Sequence, residues 1–197
     1  MSPSQSPELK LAELPCVLGI DSGFASAGYA IVGLDRDSLH VHTLGVVRTA
    51  ASAKKLKVKA ADDNMRRGRE ITSQYHPFLT PRVIAICMES PSLPRNASTS
   101  FKMGIFYGIV AALVEIYDVP VVQVSPQALK KGVCGKSTAS KEEIARALDL
   151  RFSRSFTDEL VQRGIPAGMH EHAYDALGTI VASEDSEVLR LARRMGR

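Results

Sequence analysis

Cysteine is scarce: Cys16, Cys87 and Cys134 are odd in number and far apart in a chain of 197 residues. With no CxxC pair among them, neither a disulfide framework nor a cysteine-based zinc site is expected, and a reducing compartment fits. No run of about 18 apolar residues occurs, so no membrane span is expected. The opening MSPSQSPELKLAELP is polar, contains acids and lacks a signal-peptide core, which points to an unexported, cytoplasmic protein. The sequon-like Asn96-Ala97-Ser98 then has no meaning as a glycosylation site. Internal repeats and low-complexity tracts are missing too. The basic excess is small, 25 Lys plus Arg against 21 Asp plus Glu for a formal charge of +4, and names no partner by itself.

What is present is the composition of an ordinary folded protein, 45% hydrophobic and 23% charged. The length suits a single domain. Residues 1–15 read as a polar tail, 16–183 as the domain, and 184–197 as a basic terminal helix or tail that includes four arginines. Cys16–Asp21 (CVLGID) reads as a buried strand ending in an acid and a Ser22-Gly23 turn. Residues 27–34 and 39–47 continue it as an antiparallel meander. Charged and apolar residues at helical spacing then predict one long helix from Lys54 to Leu79. RVIAICM (82–88) is a further strand, ending at Glu89. The stripe Phe101, Ile105, Ile109, Ala112, Leu113 and Ile116 predicts a largely buried helix over 97–117, with Gly104 and Gly108 where another element approaches. VPVVQV (119–124) is the fifth strand, and strand-helix-strand alternation implies parallel pairing with a right-handed crossover. Short helices follow at 125–131 and 140–152, a loop or broken helix at 153–168, and a helix from His170 to Ser183.

The charge becomes informative once located. Residues 48–82 hold nine Lys or Arg against three acids, leaving that segment at +6. Lys54, Lys55, Lys57, Arg66 and Arg67 belong to it. Such a stretch either binds phosphate backbones, releasing counterions, or is a solvated helix face.

Acids at the ends of two apolar strands, Asp21 and Glu89, are candidate metal positions, because a strand fixes the direction of a carboxylate while its loop leaves it open. An Asx-type turn at Asp21 and an exposed strand end at Glu89 are the plain alternatives. In HEHAYDALGTIVA (170–182), Asp175 heads an apolar helix face, with His172 three and Glu171 four residues before it, so either shares its face. An acidic first turn favoured by the helix dipole would look the same. A zinc site on His170 and His172 is weak, since the two diverge on a helix. Joined together, these groups make a hard, oxygen-rich site suited to Mg²⁺, with Mn²⁺ able to substitute. Two such ions roughly 3.5–4 Å apart serve in-line displacement at phosphorus, which is nuclease chemistry.

LGIDSGFASAGYAIV resembles the first strand of RuvC-type Holliday junction resolvases, and the likeness continues through ICMES, the Gly-containing helix, VPVVQVSPQALKK and HAYDALGTIVA, over about residues 16–183. The resemblance implies an α/β, RNase H-like fold: a five-stranded mixed sheet, three antiparallel strands first and then parallel ones, flanked by helices. It implies four metal ligands, Asp21, Glu89, His172 and Asp175, with His in the first place of a D-x-x-D helix motif. It also implies Lys141 as charge stabilising the scissile phosphate and Lys130, beside Lys131, as a substrate contact. Arg95, in the loop after Glu89, joins the expected DNA contacts. Many family members place Gln and then an aromatic wedge after the Glu. Here Ser90-Pro91-Ser92-Leu93 stands instead, leaving Leu93 and Phe101 as substitutes.

The implied activity is a Mg²⁺-dependent, structure-selective endodeoxyribonuclease acting on branched DNA as a homodimer. An RNase H-fold nuclease acting on RNA or RNA–DNA hybrids, and a catalytically silent junction binder, are the alternatives. Actin-like sugar kinases also open on strand, Asp and Gly, but they need a second lobe. GVCGKST (132–138) falls short of a P-loop, which requires four residues between its glycines and a preceding strand.

Overall fold

A computed structural model describes residues 14–91 and 96–195. The expected polar tail therefore falls almost wholly outside the described residues, as do Leu93 and Arg95. In chain order the elements are β1 (Cys16–Asp21), β2 (Ser26–Leu34), β3 (Leu39–Arg48), α1 (Ala60–Tyr75), β4 (Val83–Glu89) and α2 (Ala97–Tyr117). There follow β5 (Val121–Val124), α3 (Pro126–Cys134), α4 (Lys141–Phe152), α5 (Phe156–Gln162), α6 (His170–Ala182) and α7 (Glu187–Met195).

The five strands form one sheet in the order β3-β2-β1-β4-β5. β1 pairs antiparallel with β2 and parallel with β4, and β4 pairs parallel with β5, as expected from the sequence. β1 is central and covered on both faces, which is why it reads as an unbroken apolar run rather than an alternation. Its side chains still divide with the period of two. Val17 joins the core under α3, α4 and α6, while Cys16, Leu18 and Ile20 join the core under α1 and α2.

Two glycines let α6 lie directly on the sheet. A Cβ on Gly19 would stand 2.1 Å from the Ala176 carbonyl oxygen, and one on Gly28 would stand 1.8 Å from that of His172. α4 opens on a full capping box, with Ser140 accepting from the Glu143 amide and Glu143 reaching back to the Ser140 amide at 2.8 Å. The long edge strand β3 is closed by arginines. Arg154 donates to the Val41 carbonyl at 2.8 Å, and Arg163 to the Leu44 carbonyl at 2.8 Å and the Thr43 hydroxyl at 2.7 Å.

Several expectations are corrected. The helix expected from Lys54 begins only at Ala60 and ends at Tyr75. Lys54–Leu56 form a separate 3-10 turn, and Lys57 adopts φ 48°, a left-handed conformation that cannot continue a helix. α3 runs on to Cys134, past Gly132, where a Cβ would stand 2.8 Å from the Ala182 Cα. The segment 153–168 is the broken helix that was one of its two expected forms, with α5 occupying part of it. In keeping with the sequence reading, GVCGKST is no phosphate loop, since it spans the end of α3 with Gly135 as its left-handed cap.

α2 is not largely buried. Its core-facing residues are Phe106, Val110 and Leu113, whereas Phe101 and Ile116 of the expected stripe are 61% and 72% exposed. Nothing lies within 4 Å of a Cβ placed on Gly104 or Gly108. Among the described residues α2 is the helix long and apolar enough to cross a membrane by length and composition. One side of it nevertheless packs on the sheet and on α1, where a Cβ on Gly68 would stand 3.6 Å from Ile105 and Ile109.

Candidate active site

The parallel pairing of β1 with β4, Ile20 opposite Met88, brings the two strand-end acids to the same end of the sheet. Strand alternation points Asp21 and Glu89 to the face covered by α6, the face that also buries Val17 and Cys87. Because Gly28 has no side chain, the first turn of α6 rests on β2. His172 is thereby carried to Asp21, with Nδ1 2.6 Å from Oδ2. Asp175 follows on the next turn and is 4% exposed. The ammonium of Lys141, the first residue of α4, is bonded to its Oδ2 and stands 3.8 Å from Glu171. The structure thus separates the two possible partners on this turn: His172 faces Asp21, and Glu171 faces Lys141.

The electrostatics are those of crowded negative charge. Burial pushes the Glu89 carboxyl up to about 7, helped by Asp21 and Asp175, while Lys141 and Lys130 pull it back. Burial also raises Asp175, and its bond to Lys141 only partly offsets that. For Lys141, burial works downward, but the carboxylate of Asp175 outweighs it and the ammonium is held above its ordinary range. The difference between these partners follows from solvent, since the side chain of Lys141 is 48% exposed and that of Asp175 only 6%. The hydrogen bond to Asp21 raises His172 against its burial.

Among the described residues no three of these groups converge on one point as the side chains lie. Asp21 is engaged by His172 and Asp175 by Lys141. The donor set nonetheless fits a hard divalent cation: three carboxylates and an imidazole at one end of the sheet, with the Glu89 carboxyl elevated by burial and, after that, by Asp21 and Asp175. In this arrangement Lys141 supplies the positive charge at Asp175.

The basic residues divide. Lys130 is half-buried on α3 and close enough to act on Glu89, and Lys131 is exposed beside it. Lys54, Lys55 and Lys57 are exposed on the turn before α1. Arg66 is engaged by Asp63, Glu70 and the Ala50 carbonyl. Arg67 is corrected as a DNA contact. It is 5% exposed, donates to the Thr49 hydroxyl at 2.9 Å and the Phe24 carbonyl at 3.2 Å, and lies 4.5 Å over the Phe24 ring.

Sequence reasoning missed Tyr107. Its hydroxyl donates to the Glu89 carbonyl at 2.7 Å and accepts from Ser22 Oγ at 3.3 Å, tying the ends of β4 and β1 together from α2. The available signal was a polar-tipped aromatic directly after the core residue Phe106.

Comparison with known proteins bears on the family and the fold. The family model described as crossover junction endodeoxyribonuclease RuvC matches residues 17–151. The protein of that name from Chlorobium phaeobacteroides is 32% identical over 129 residues, 66% of this chain and 65% of that one. The one from Chlamydia caviae is 26% identical over 132 residues, 65% of this chain and 72% of that one. Among solved structures, Thermus thermophilus RuvC in complex with Holliday junction substrate superposes with a TM-score of 0.62 at 22% identity, covering 90% of this chain and 96% of that one. The fowlpox virus Holliday junction resolvase superposes at 0.53 with 8% identity, covering 87% and 98%. These likenesses establish the fold.

Proposed function

The chain belongs to the RuvC family of crossover junction endodeoxyribonucleases, and from that premise we propose that it is a cytoplasmic homodimeric nuclease that resolves four-way DNA junctions by paired nicks, leaving 5′-phosphate and 3′-hydroxyl ends. The observation that supports the reading is that Asp21, Glu89, His172 and Asp175 lie at one end of the sheet, with His172 bonded to Asp21 and Lys141 to Asp175. Asp21, Glu89, His172 and Asp175 would hold Mg²⁺, for which Mn²⁺ can substitute. Ions so bound supply activation of water and stabilisation of the leaving oxygen in phosphodiester hydrolysis. Lys141 brings a fixed positive charge to the side of the scissile phosphate. Lys130 and Lys131 hold the backbone near it without reading sequence. His172 orients Asp21 through their hydrogen bond. The exposed apolar face of α2, with Gly104 and Gly108 open, supports the second copy that two symmetric nicks require.

The test is cleavage of a synthetic four-way junction with Mg²⁺. Wild type is expected to nick two opposed strands. Asp175→Asn is expected to bind the junction with nicking reduced by at least about 100-fold, the scale of losing a transition-state charge partner. Absence of nicking by the wild type on any branched DNA would overturn the reading. Preferential cleavage of an RNA–DNA hybrid in competition would redirect it to RNA.

A further inference from the structure

The connection from β3 to α1 is a built feature with no part in the cleft. It leaves the sheet at the end where Asp21 lies, for Arg48 pairs with Ser26 at the end of β3. The Thr49 amide donates to the Ala25 carbonyl at 3.0 Å, and the Thr49 hydroxyl to the Phe24 carbonyl at 2.7 Å. Phe24 and Ala25 belong to the turn that follows Asp21-Ser22-Gly23. Arg67, buried over the Phe24 ring, donates to the same two groups from α1 and closes the knot.

A second clamp lies further along. Asp63 accepts from the Ser52 amide at 3.1 Å and the Ser52 hydroxyl at 2.6 Å, while Arg66 donates to the Ala50 carbonyl at 2.6 Å. The Ser52 and Arg66 bonds hold the Asp63 carboxyl down to about 2, so the clamp stays charged through the neutral range. The Asp63 carboxylate is thus already occupied. What the connection presents outward is Lys54, Lys55, Lys57 and Lys59, all exposed, and among the described residues none is within ion-pair distance of a carboxylate. The left-handed Lys57 ends the 3-10 turn and fixes the course of the backbone between them.

Four unpaired ammoniums within six residues on an anchored backbone suit a polyanion with closely spaced charges, which duplex DNA supplies at about one per 1.7 Å of axis. We propose that Lys54–Lys59 is a second nucleic-acid contact, a platform that takes the phosphates of a duplex arm outside the catalytic cleft. The knot through Thr49, Phe24 and Arg67 keeps that platform in register with the turn that follows Asp21. The inference rests on the junction-resolving reading above and adds to it where an arm of the substrate lies.

The experiment measures binding of a four-way junction in the Asp175→Asn background, so that the substrate stays whole, with and without Lys54→Gln, Lys55→Gln, Lys57→Gln and Lys59→Gln together. With long arms, the fourfold variant is expected to lower the slope of log affinity against log salt by about 3 and to weaken binding at least about tenfold near physiological salt. With arms trimmed to a few base pairs beyond the crossover, the two proteins are expected to bind alike. An unchanged salt slope on long arms overturns the proposal and leaves the turn to a protein partner or to solvent. Equal loss on trimmed arms also overturns it, because the lysines would then act at the crossover. Thermal melting of the fourfold variant checks that these exposed positions leave the fold intact. Nicking of the same junction by the unaltered protein is the separate control. Its failure sinks the junction-resolving reading, whereas its success with an unchanged slope sinks the platform alone.

Discussion

The Tyr107 hydroxyl joins the backbone of Glu89 to Ser22 beside Asp21. Tyr107→Phe removes both hydrogen bonds from the fold, each of roughly 1 kcal/mol. Its expected effect on catalysis is larger: a fall of about tenfold in single-turnover nicking with junction affinity unchanged, since misplacing reacting groups by a fraction of an ångström costs rate rather than binding. Equal losses in both quantities would make it a packing residue only. Asp21, Glu89 and Asp175 were legible in the sequence because an acid closing an apolar strand or heading an apolar helix face is costly to keep without a task. Arg67 was not legible. Its burial depends on Phe24 and Thr49, residues 43 and 18 positions away, and a basic residue inside a basic run carries no mark of that. Arg67→Met is expected to lower unfolding free energy by about 2–4 kcal/mol, read by denaturant titration, because the Phe24 carbonyl and Thr49 hydroxyl lose a charged donor in the interior.

At the scale of elements, the decisive contact is between α6 and the sheet. Gly28→Ala would drive a methyl into the His172 carbonyl, a clash with backbone that no rotamer relieves. The first turn of α6 must lift, taking His172 and Asp175 away from Asp21 and Glu89. Nicking is expected to be lost while far-ultraviolet circular dichroism keeps its helical signal. α7 is held differently, through Glu184 between Arg193 and Arg151. Burial alone would raise the Glu184 carboxyl, but the two guanidiniums outweigh it and hold it below the ordinary range. Its contribution is therefore fully present above the ordinary carboxylate pKa and fades as pH falls through the lowered folded value. The gap in Tm between wild type and Glu184→Gln is expected to be open at neutral pH and to close in the acid range. A constant gap would remove the ion pairs from the account. The strands were readable from their apolar runs and turn residues, and α6 from its acids and periodicity. The start of α1 was not, because Lys54–Lys59 has helical composition and only the backbone at Lys57, together with the clamp of Ser52 on Asp63, turns the chain aside.

For the molecule as a whole, the small net charge conceals two opposed regions, a carboxylate cleft and basic surfaces around it. The same folding that brings those carboxylates together leaves α2 with one face in the core and one outside. The sequence stripe of α2 was visible, but its direction was not. Phe101 and Ile116 lie on the apolar periodicity as well as any core residue does, and only packing shows which apolar face the sheet takes. Gly108→Glu is a direct probe of the outer face. Nothing lies within 4 Å of that position and helix propensity improves, so the monomer is expected to be at least as stable as before. Sedimentation is expected to show the dimer lost, and paired nicking of a junction to become independent single nicks.

The closed edge of β3 bears on how such a dimer is reached. A ten-residue edge strand ordinarily offers its carbonyls to any passing chain. Here Arg154 and Arg163, reaching across from the segment around α5, already donate to Val41 and Leu44. Sheet extension on that side would first have to evict two guanidiniums. Subunits crowded along the same DNA are thus steered away from stacking strand on strand into open-ended polymers. In the proposed dimer, pairing is left to the outer face of α2, where it stops at two.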